Sequence, residues 1–192
     1  KKIPVIFWYP DVFIGQWLKT SGLISGISGW ILERFNLFRS ANFFIGISNS
    51  TINKLKKLHV PRSKLTMIPC GVDLSEFQIE SRKFKVPTIV CIARLVPYKR
   101  VEDLIWAFAL LTKKRDLQLV IVGRGPDEKK LKNITKMLKL KNKVSFISNL
   151  PRKDIIRMLK SSKLFCLPSE IEGFGISIVE AGAAGVPYVV SN

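Results

Sequence analysis

The sequence predicts an α/β fold built on a parallel sheet, and three observations carry that prediction. From Pro87 onward, short β-branched runs alternate with amphipathic helical runs, the pattern of strands joined by crossover helices. A chain of 192 residues with 47% hydrophobic residues can bury a substantial core, which excludes a disordered polypeptide. A glycine-rich turn at 168–180 (PSEIEGFGISIVE) links an apolar run to a helical one, as βα turns of such sheets do.

Taken in order, residues 88–94 (TIVCIAR) read as a strand, 101–113 as a helix and 117–123 (LQLVIVG) as a second strand. A helix follows over 127–139, then a third strand at 144–147, a short helix at 154–161 and a fourth strand at 164–167. The glycine turn opens a helix over 176–184, and 188–190 reads as a fifth strand. The whole is a doubly wound sheet of the Rossmann kind, which takes ligands outside the carboxyl ends of its strands.

Before residue 78 the character differs, with a strand at 3–8, an apolar segment at 22–38, a strand at 43–47, a basic helix near 50–58 and the stretch LTMIPCGVD. Those strands are not expected to complete a sheet alone. Residues 1–77 therefore read as the tail of an incomplete preceding domain, 78–87 as an interdomain linker and 88–192 as the ligand-binding domain, truncated at its carboxyl end.

Thirty-two Lys and Arg against fourteen Asp and Glu give a formal charge of +18, which favours anionic partners: nucleotides, nucleic acid or an acidic membrane face. Cys70, Cys91 and Cys166 lack CxxC spacing and read as free thiols in a reducing, cytoplasmic compartment. His59 is the only histidine, so no metal ligand set is expected and no cofactor. The start of the chain lacks the features of a signal peptide. The apolar segment 22–38 is interrupted by Gly26, Gly29, Glu33 and Arg34, which argues against a membrane span and leaves an interfacial or a packed helix.

The chemistry concentrates at 168–180. Gly173 and Gly175 let backbone approach an anion, and the first amides of the following helix point outward with the positive end of its dipole. Glu172 and Glu180 bracket this turn, and acceptor oxygens there suit hydroxyl groups. A phosphate flanked by polyols, as in a nucleotide sugar, fits that arrangement.

Five stretches in one order, IPCGVDLSEF (68–77), ARLVPYKRVEDLIWAFALL (93–111), LVIVGRGPDEKKL (119–131), VSFISNLP (144–151) and LPSEIEGFGISIVEAGAAGVPYVVS (167–191), make the chain resemble the retaining glycosyltransferases of the GT-B fold, family 4. The resemblance implies that residues 88–192 form the donor-binding carboxyl-terminal domain, with acceptor binding in the other domain and reaction in the cleft between them. It implies that Arg94 and Lys99 neutralise the donor diphosphate, that Glu172 accepts hydrogen bonds from the transferred sugar and that Glu180 holds the ribose hydroxyls. Gly173, Phe174, Gly175 and Ile176 would then offer backbone amides, and Gly123 would lie near the donor. The residues implied as catalytic are Glu172, Arg94 and Lys99. Arg100 stands where the family usually has glycine, and no histidine accompanies Asp11 where many relatives carry a His-Asp pair.

The resulting expectation is a metal-independent hexosyltransferase using a UDP-, GDP- or ADP-linked sugar, with a glycan or lipid-linked glycan as acceptor. It is expected in the cytoplasm, on the inner face of an anionic membrane if peripheral, and inactive as this chain alone. The alternative is a basic, non-catalytic module binding nucleic acid or an anionic membrane. Against nucleic acid, the aromatics fall in apolar runs instead of forming an exposed stacking platform.

Overall fold

The computed structural model describes residues 3–13, 16–18, 22–38 and 41–191. Its contacts divide the chain into two units: Lys1–Cys70 with Glu172–Phe174, and Gly71–Ile171 with Gly175–Asn192.

The first unit holds a three-stranded parallel sheet in the order β1-β2-β3, formed by β1 (Ile6–Tyr9), β2 (Phe43–Gly46) and β3 (Leu65–Met67). Helix α1 (Leu23–Phe38) lies between β1 and β2 in sequence, and α2 (Asn49–Lys57) between β2 and β3. The expectation that strands before residue 78 could not complete a sheet is corrected here. Only three residues of LTMIPCGVD are extended, too few to give a periodic signal, yet Leu65 and Thr66 pair with Phe44 and Ile45.

Helix α2 begins where the Ser48 hydroxyl accepts from the Thr51 amide at 3.1 Å, and its last turn carries Lys54, Lys56 and Lys57, which suit the negative end of the dipole. It buries Thr51, Ile52 and Leu55. A small core of Val12, Ala41, Phe44, Leu55 and Val60 results, with the rings of Phe7 and Tyr9 packed at a tilt against Phe44, their centres 5.7 and 6.2 Å away.

The residues that interrupt the apolar run of α1 have structural work. The Glu33 carboxylate accepts from the Phe13 amide at 3.0 Å and the Trp17 indole N–H at 2.6 Å. A Cβ at Gly29 would lie 2.5 Å from the Trp17 ring, so only glycine lets that ring lie on the helix. Trp17, Leu18, Ile27 and Trp30 line a cavity of about 310 Å³. No helix among the described residues is long and apolar enough to cross a membrane.

The second unit holds a five-stranded parallel sheet ordered β6-β5-β4-β7-β8, with strands β4 (Thr88–Ile92), β5 (Gln118–Val122), β6 (Val144–Ile147), β7 (Leu164–Leu167) and β8 (Tyr188–Val190). The connecting helices are α3 (Val101–Leu111), α4 (Glu128–Met137), α5 (Arg152–Ser161) and α6 (Ile176–Ala183). The predicted doubly wound parallel sheet is present. Phe108, Ile105, Leu119, Ile121, Leu159 and Phe165 are fully buried at its centre. The chain walks outward from β4 to β5 and β6, then returns to place β7 on the other side of β4. Strand order therefore reverses at β4 and β7, whose carboxyl ends flank the crevice where open α/β sheets bind ligands.

Residues 78–87, expected as a linker, lie in the second unit and are hydrogen-bonded to α5. Lys160 donates its ammonium to the carbonyls of Phe77 and Ile79 at 2.7 and 2.8 Å, and Lys83 donates to the carbonyls of Lys160 and Ser162 at 2.7 and 3.3 Å. A lysine at a helix carboxyl end satisfies carbonyls that the helix leaves open.

Candidate active site

The site residues expected in the second unit follow the carboxyl ends of its strands. Arg94 lies two residues beyond β4 and is exposed, while Lys99 ends a 3-10 turn (Pro97–Lys99) and is half-buried. Lys99 Nζ reaches the Ile171 carbonyl at 3.5 Å and stands 5.6 Å from the centre of the Tyr98 ring. The Glu170 amide donates to the Tyr98 carbonyl at 2.8 Å, so the turn after β4 is tied to the segment after β7.

Arg100 explains its own departure from glycine. It sits at φ 51° and ψ 32°, a left-handed conformation that glycine adopts without strain, and its Nε donates to Asp103 at 2.8 Å. The side chain is turned toward the first residues of α3 and an acidic partner on the same helix.

Gly123 follows β5 at φ 146°, and a Cβ there would fall 1.8 Å from the Ala93 carbonyl oxygen. A Cβ at Gly125 would fall 2.2 Å from the Leu95 carbonyl oxygen. Both glycines are thus required by close approach of the two strand-end loops, which are joined by the Leu95 amide donating to the Arg124 carbonyl at 3.0 Å.

Gly175 caps α6 at φ 79°, left-handed, and no side chain caps the helix. Its first internal bond is the Ile178 amide to the Gly175 carbonyl at 2.8 Å, so the amides of Ile176 and Ser177 precede the helical ladder. An anion at this end would meet unopposed dipole, because no acidic residue occupies the first turn. Glu172, Gly173 and Phe174 are half-buried and belong to the first unit.

Glu180, one turn into α6, is 8% exposed and pairs with Arg152 at the start of α5. Arg152 Nη1 donates to Glu180 Oε1, while its Nε and Nη2 donate to Glu76 Oε2 at 3.0 and 2.9 Å. Burial lowers the Arg152 pKa, but the hydrogen bonds to Glu180 and Glu76 outweigh it and hold the guanidinium above its ordinary value. Neither Arg152 nor Glu76 stood out in the sequence. The predicted helix began at 154, whereas α5 starts at Arg152, immediately after Pro151. A basic residue opening a helix opposes the dipole, and that anomaly could have signalled a carboxylate partner.

Cys91 is fully buried in β4, and its thiol is pushed up to about 12, chiefly by burial, further by neighbouring Cys166, with Lys99 opposing. Burial also raises Cys166. All three cysteines are free thiols. Among the described residues no cluster of three or more His, Cys, Asp or Glu could hold a metal ion.

Residues 74–192 match the family described as Glycosyl transferases group 1. The chain is 32% identical over 163 residues to an uncharacterized glycosyltransferase, YqgM, of Bacillus subtilis, covering 81% of this chain and 44% of that protein. It is 29% identical over 166 residues to a GDP-mannose-dependent monoacylated alpha-(1-6)-phosphatidylinositol monomannoside mannosyltransferase of Corynebacterium glutamicum, covering 76% and 43%. In fold it is similar to Anabaena Alr3699/HepE in complex with UDP-glucose, with a TM-score of 0.80 at 20% identity over 97% of this chain and 53% of that one. The chain thus spans less than half the length of these two curated relatives.

Proposed function

The chain belongs to the glycosyl transferases group 1 family, and from that premise we propose that it is the donor-binding half of a retaining, metal-independent glycosyltransferase that moves a sugar from a nucleoside diphosphate to an acceptor hydroxyl. The observation that carries this reading is the set of Arg94, Lys99 and the uncapped amino end of α6 beside the strand-order reversal at β4 and β7.

In this reading the diphosphate lies at the amides of Ile176 and Ser177. Arg94 and Lys99 neutralise the charge that the leaving group gains as the bond from the anomeric carbon to the phosphate oxygen breaks. The acceptor oxygen bonds to that carbon from the same face, and its proton passes to the departing phosphate oxygen, so the configuration is retained without a protein nucleophile. The Glu172 carboxylate accepts hydrogen bonds from the sugar, and Glu180 accepts them from the ribose. The two cations supply the electrostatic stabilisation that the step requires, and the protein otherwise positions the reactants.

The Corynebacterium relative is GDP-mannose-dependent and the Anabaena structure holds UDP-glucose, which supports a nucleotide-sugar donor. The acceptor is a glycan or lipid-linked glycan, approached by a basic protein at an anionic membrane surface in the cytoplasm. Transfer itself is assigned to a protein of the relatives' length, and this chain alone binds donor with little or no turnover. A basic nucleic-acid module leaves the match over residues 74–192 without a cause.

Calorimetric titration with UDP, GDP and ADP tests the reading. One nucleotide should bind, and Arg94→Ala and Lys99→Ala should each weaken it about tenfold or more, as loss of a charge-assisted contact does. Binding that both variants leave intact would sink the assignment.

A further inference from the structure

We propose that Arg152 is a positioning residue for the donor site: by bridging Glu76 and Glu180 it fixes the Glu180 carboxylate and thereby sets selectivity for ribose over deoxyribose. The inference rests on the reading above, in which Glu180 accepts from ribose hydroxyls.

The geometry leaves the guanidinium little freedom. One edge, Nε with Nη2, is held on a single oxygen of Glu76 at 3.0 and 2.9 Å, and Nη1 engages Oε1 of Glu180. Its Cζ stands 5.8 Å from the centre of the Phe77 ring, and Phe77 is itself buried, so the cation has a fixed aromatic neighbour. Three elements meet at this one side chain: the 3-10 turn Leu74–Gln78, the start of α5, and α6.

The arrangement makes sense as a support for Glu180. A buried carboxylate needs a counter-charge and directed donors, and Glu180 is 11% exposed in its side chain while Arg152 and Glu76 are 39% and 41% exposed. Glu76 therefore steers the guanidinium from the solvent side, and the guanidinium aims the buried partner. Arg152 opens α5, where positive charge is disfavoured by the dipole, so helix stability does not account for it. It engages Oε1 of Glu180, which leaves the two lone pairs of Oε2 to accept from both adjacent ribose hydroxyls.

A guanidinium is the right group for this task. Its planar fork holds two carboxylates in fixed mutual orientation, whereas an ammonium supplies charge without that orientation. A carboxylate held in one orientation distinguishes a ribose, which presents two adjacent hydroxyls, from a 2′-deoxyribose, which presents one. Losing a hydrogen bond to a charged group costs about tenfold in affinity, which sets the size of the effect.

The test is titration of the 192-residue chain with UDP and 2′-deoxy-UDP, and with GDP and 2′-deoxy-GDP, each variant being checked for unchanged thermal unfolding. Wild type should prefer the ribonucleotide by about tenfold. Glu180→Gln and Arg152→Met should each bring the preference to within about twofold, and the double variant should be no worse than Glu180→Gln alone, because the two act as a unit. Arg152→Lys should restore only part of the preference, and Glu76→Gln should give an intermediate loss. Retained preference in Arg152→Met beside its loss in Glu180→Gln overturns the positioning role and leaves the ribose contact standing. Retained preference in Glu180→Gln, or no nucleotide binding by wild type, overturns the ribose reading and this inference with it. If Arg152→Met unfolds early, a full preference in the folded Arg152→Lys variant overturns the role of the fork.

Discussion

The two units use the same construction, parallel strands joined by helices, with opposite results at the surface. In the second, Phe108 and Phe165 are fully buried beneath a five-stranded sheet whose central strand is buried from Thr88 to Cys91. In the first, a three-stranded sheet gathers a small core, and α1 leaves Ile24, Ile27, Trp30, Ile31 and Phe35 exposed. Buried apolar area is the main stabilising term in folding, so the second unit holds most of the stability of the chain. A site that must keep charges fixed against a leaving group belongs on that rigid part, and Arg94, Lys99 and Glu180 are all on it.

Truncating the two cores should separate the units most sharply. Phe165→Ala removes a fully buried ring and should destabilise the second unit by about 3–5 kcal/mol, whereas Trp30→Ala, at a residue 42% exposed, should cost about 1 kcal/mol or less. Urea unfolding followed by circular dichroism checks both, and equal costs would contradict the comparison.

The alkaline limb of stability should belong to the second unit as well. An ordinary thiol ionises near 9, while that of Cys91 is pushed up to about 12 by burial. Between those values the unfolded chain sheds the proton first and binds fewer protons than the native one, so this contribution is present below pH 9 and is lost as pH rises toward 12. It amounts to at most about 4 kcal/mol, and Cys91→Val should flatten the pH dependence of the unfolding midpoint relative to wild type.

The close approach of the loops after β4 and β5 offers a third break. Gly123→Ala places a Cβ on the Ala93 carbonyl at a backbone angle that only glycine favours, and should destabilise by at least about 2 kcal/mol. The smallest effect has the opposite sign: Arg100→Gly relieves a left-handed backbone and loses only an exposed ion pair. It should raise the melting midpoint by about 2 °C in differential scanning calorimetry.

The second unit was legible from sequence because each of its elements repeats a local signal. Apolar runs such as LQLVIVG mark strands, and glycine turns mark their carboxyl ends. The strand Leu65–Met67 was not, since its pairing with β2 is a long-range fact that three residues cannot announce. Gly123 and Gly125 were visible as glycines, but their cause, the carbonyls of Ala93 and Leu95, lies on a neighbouring strand-end loop. The clearest miss was the pairing of Arg152 with Glu76 and Glu180, whose partners are 76 and 28 residues away in the chain. Charge at a helix start was the one local trace of it.

Hydrogen–deuterium exchange with and without a saturating nucleoside diphosphate tests the central claim most directly. The account predicts slowed exchange in peptides covering 94–100 and 175–180, at the strand ends and the start of α6, with no change across 23–38. Protection confined to 23–38, with the strand-end loops unchanged, would contradict it.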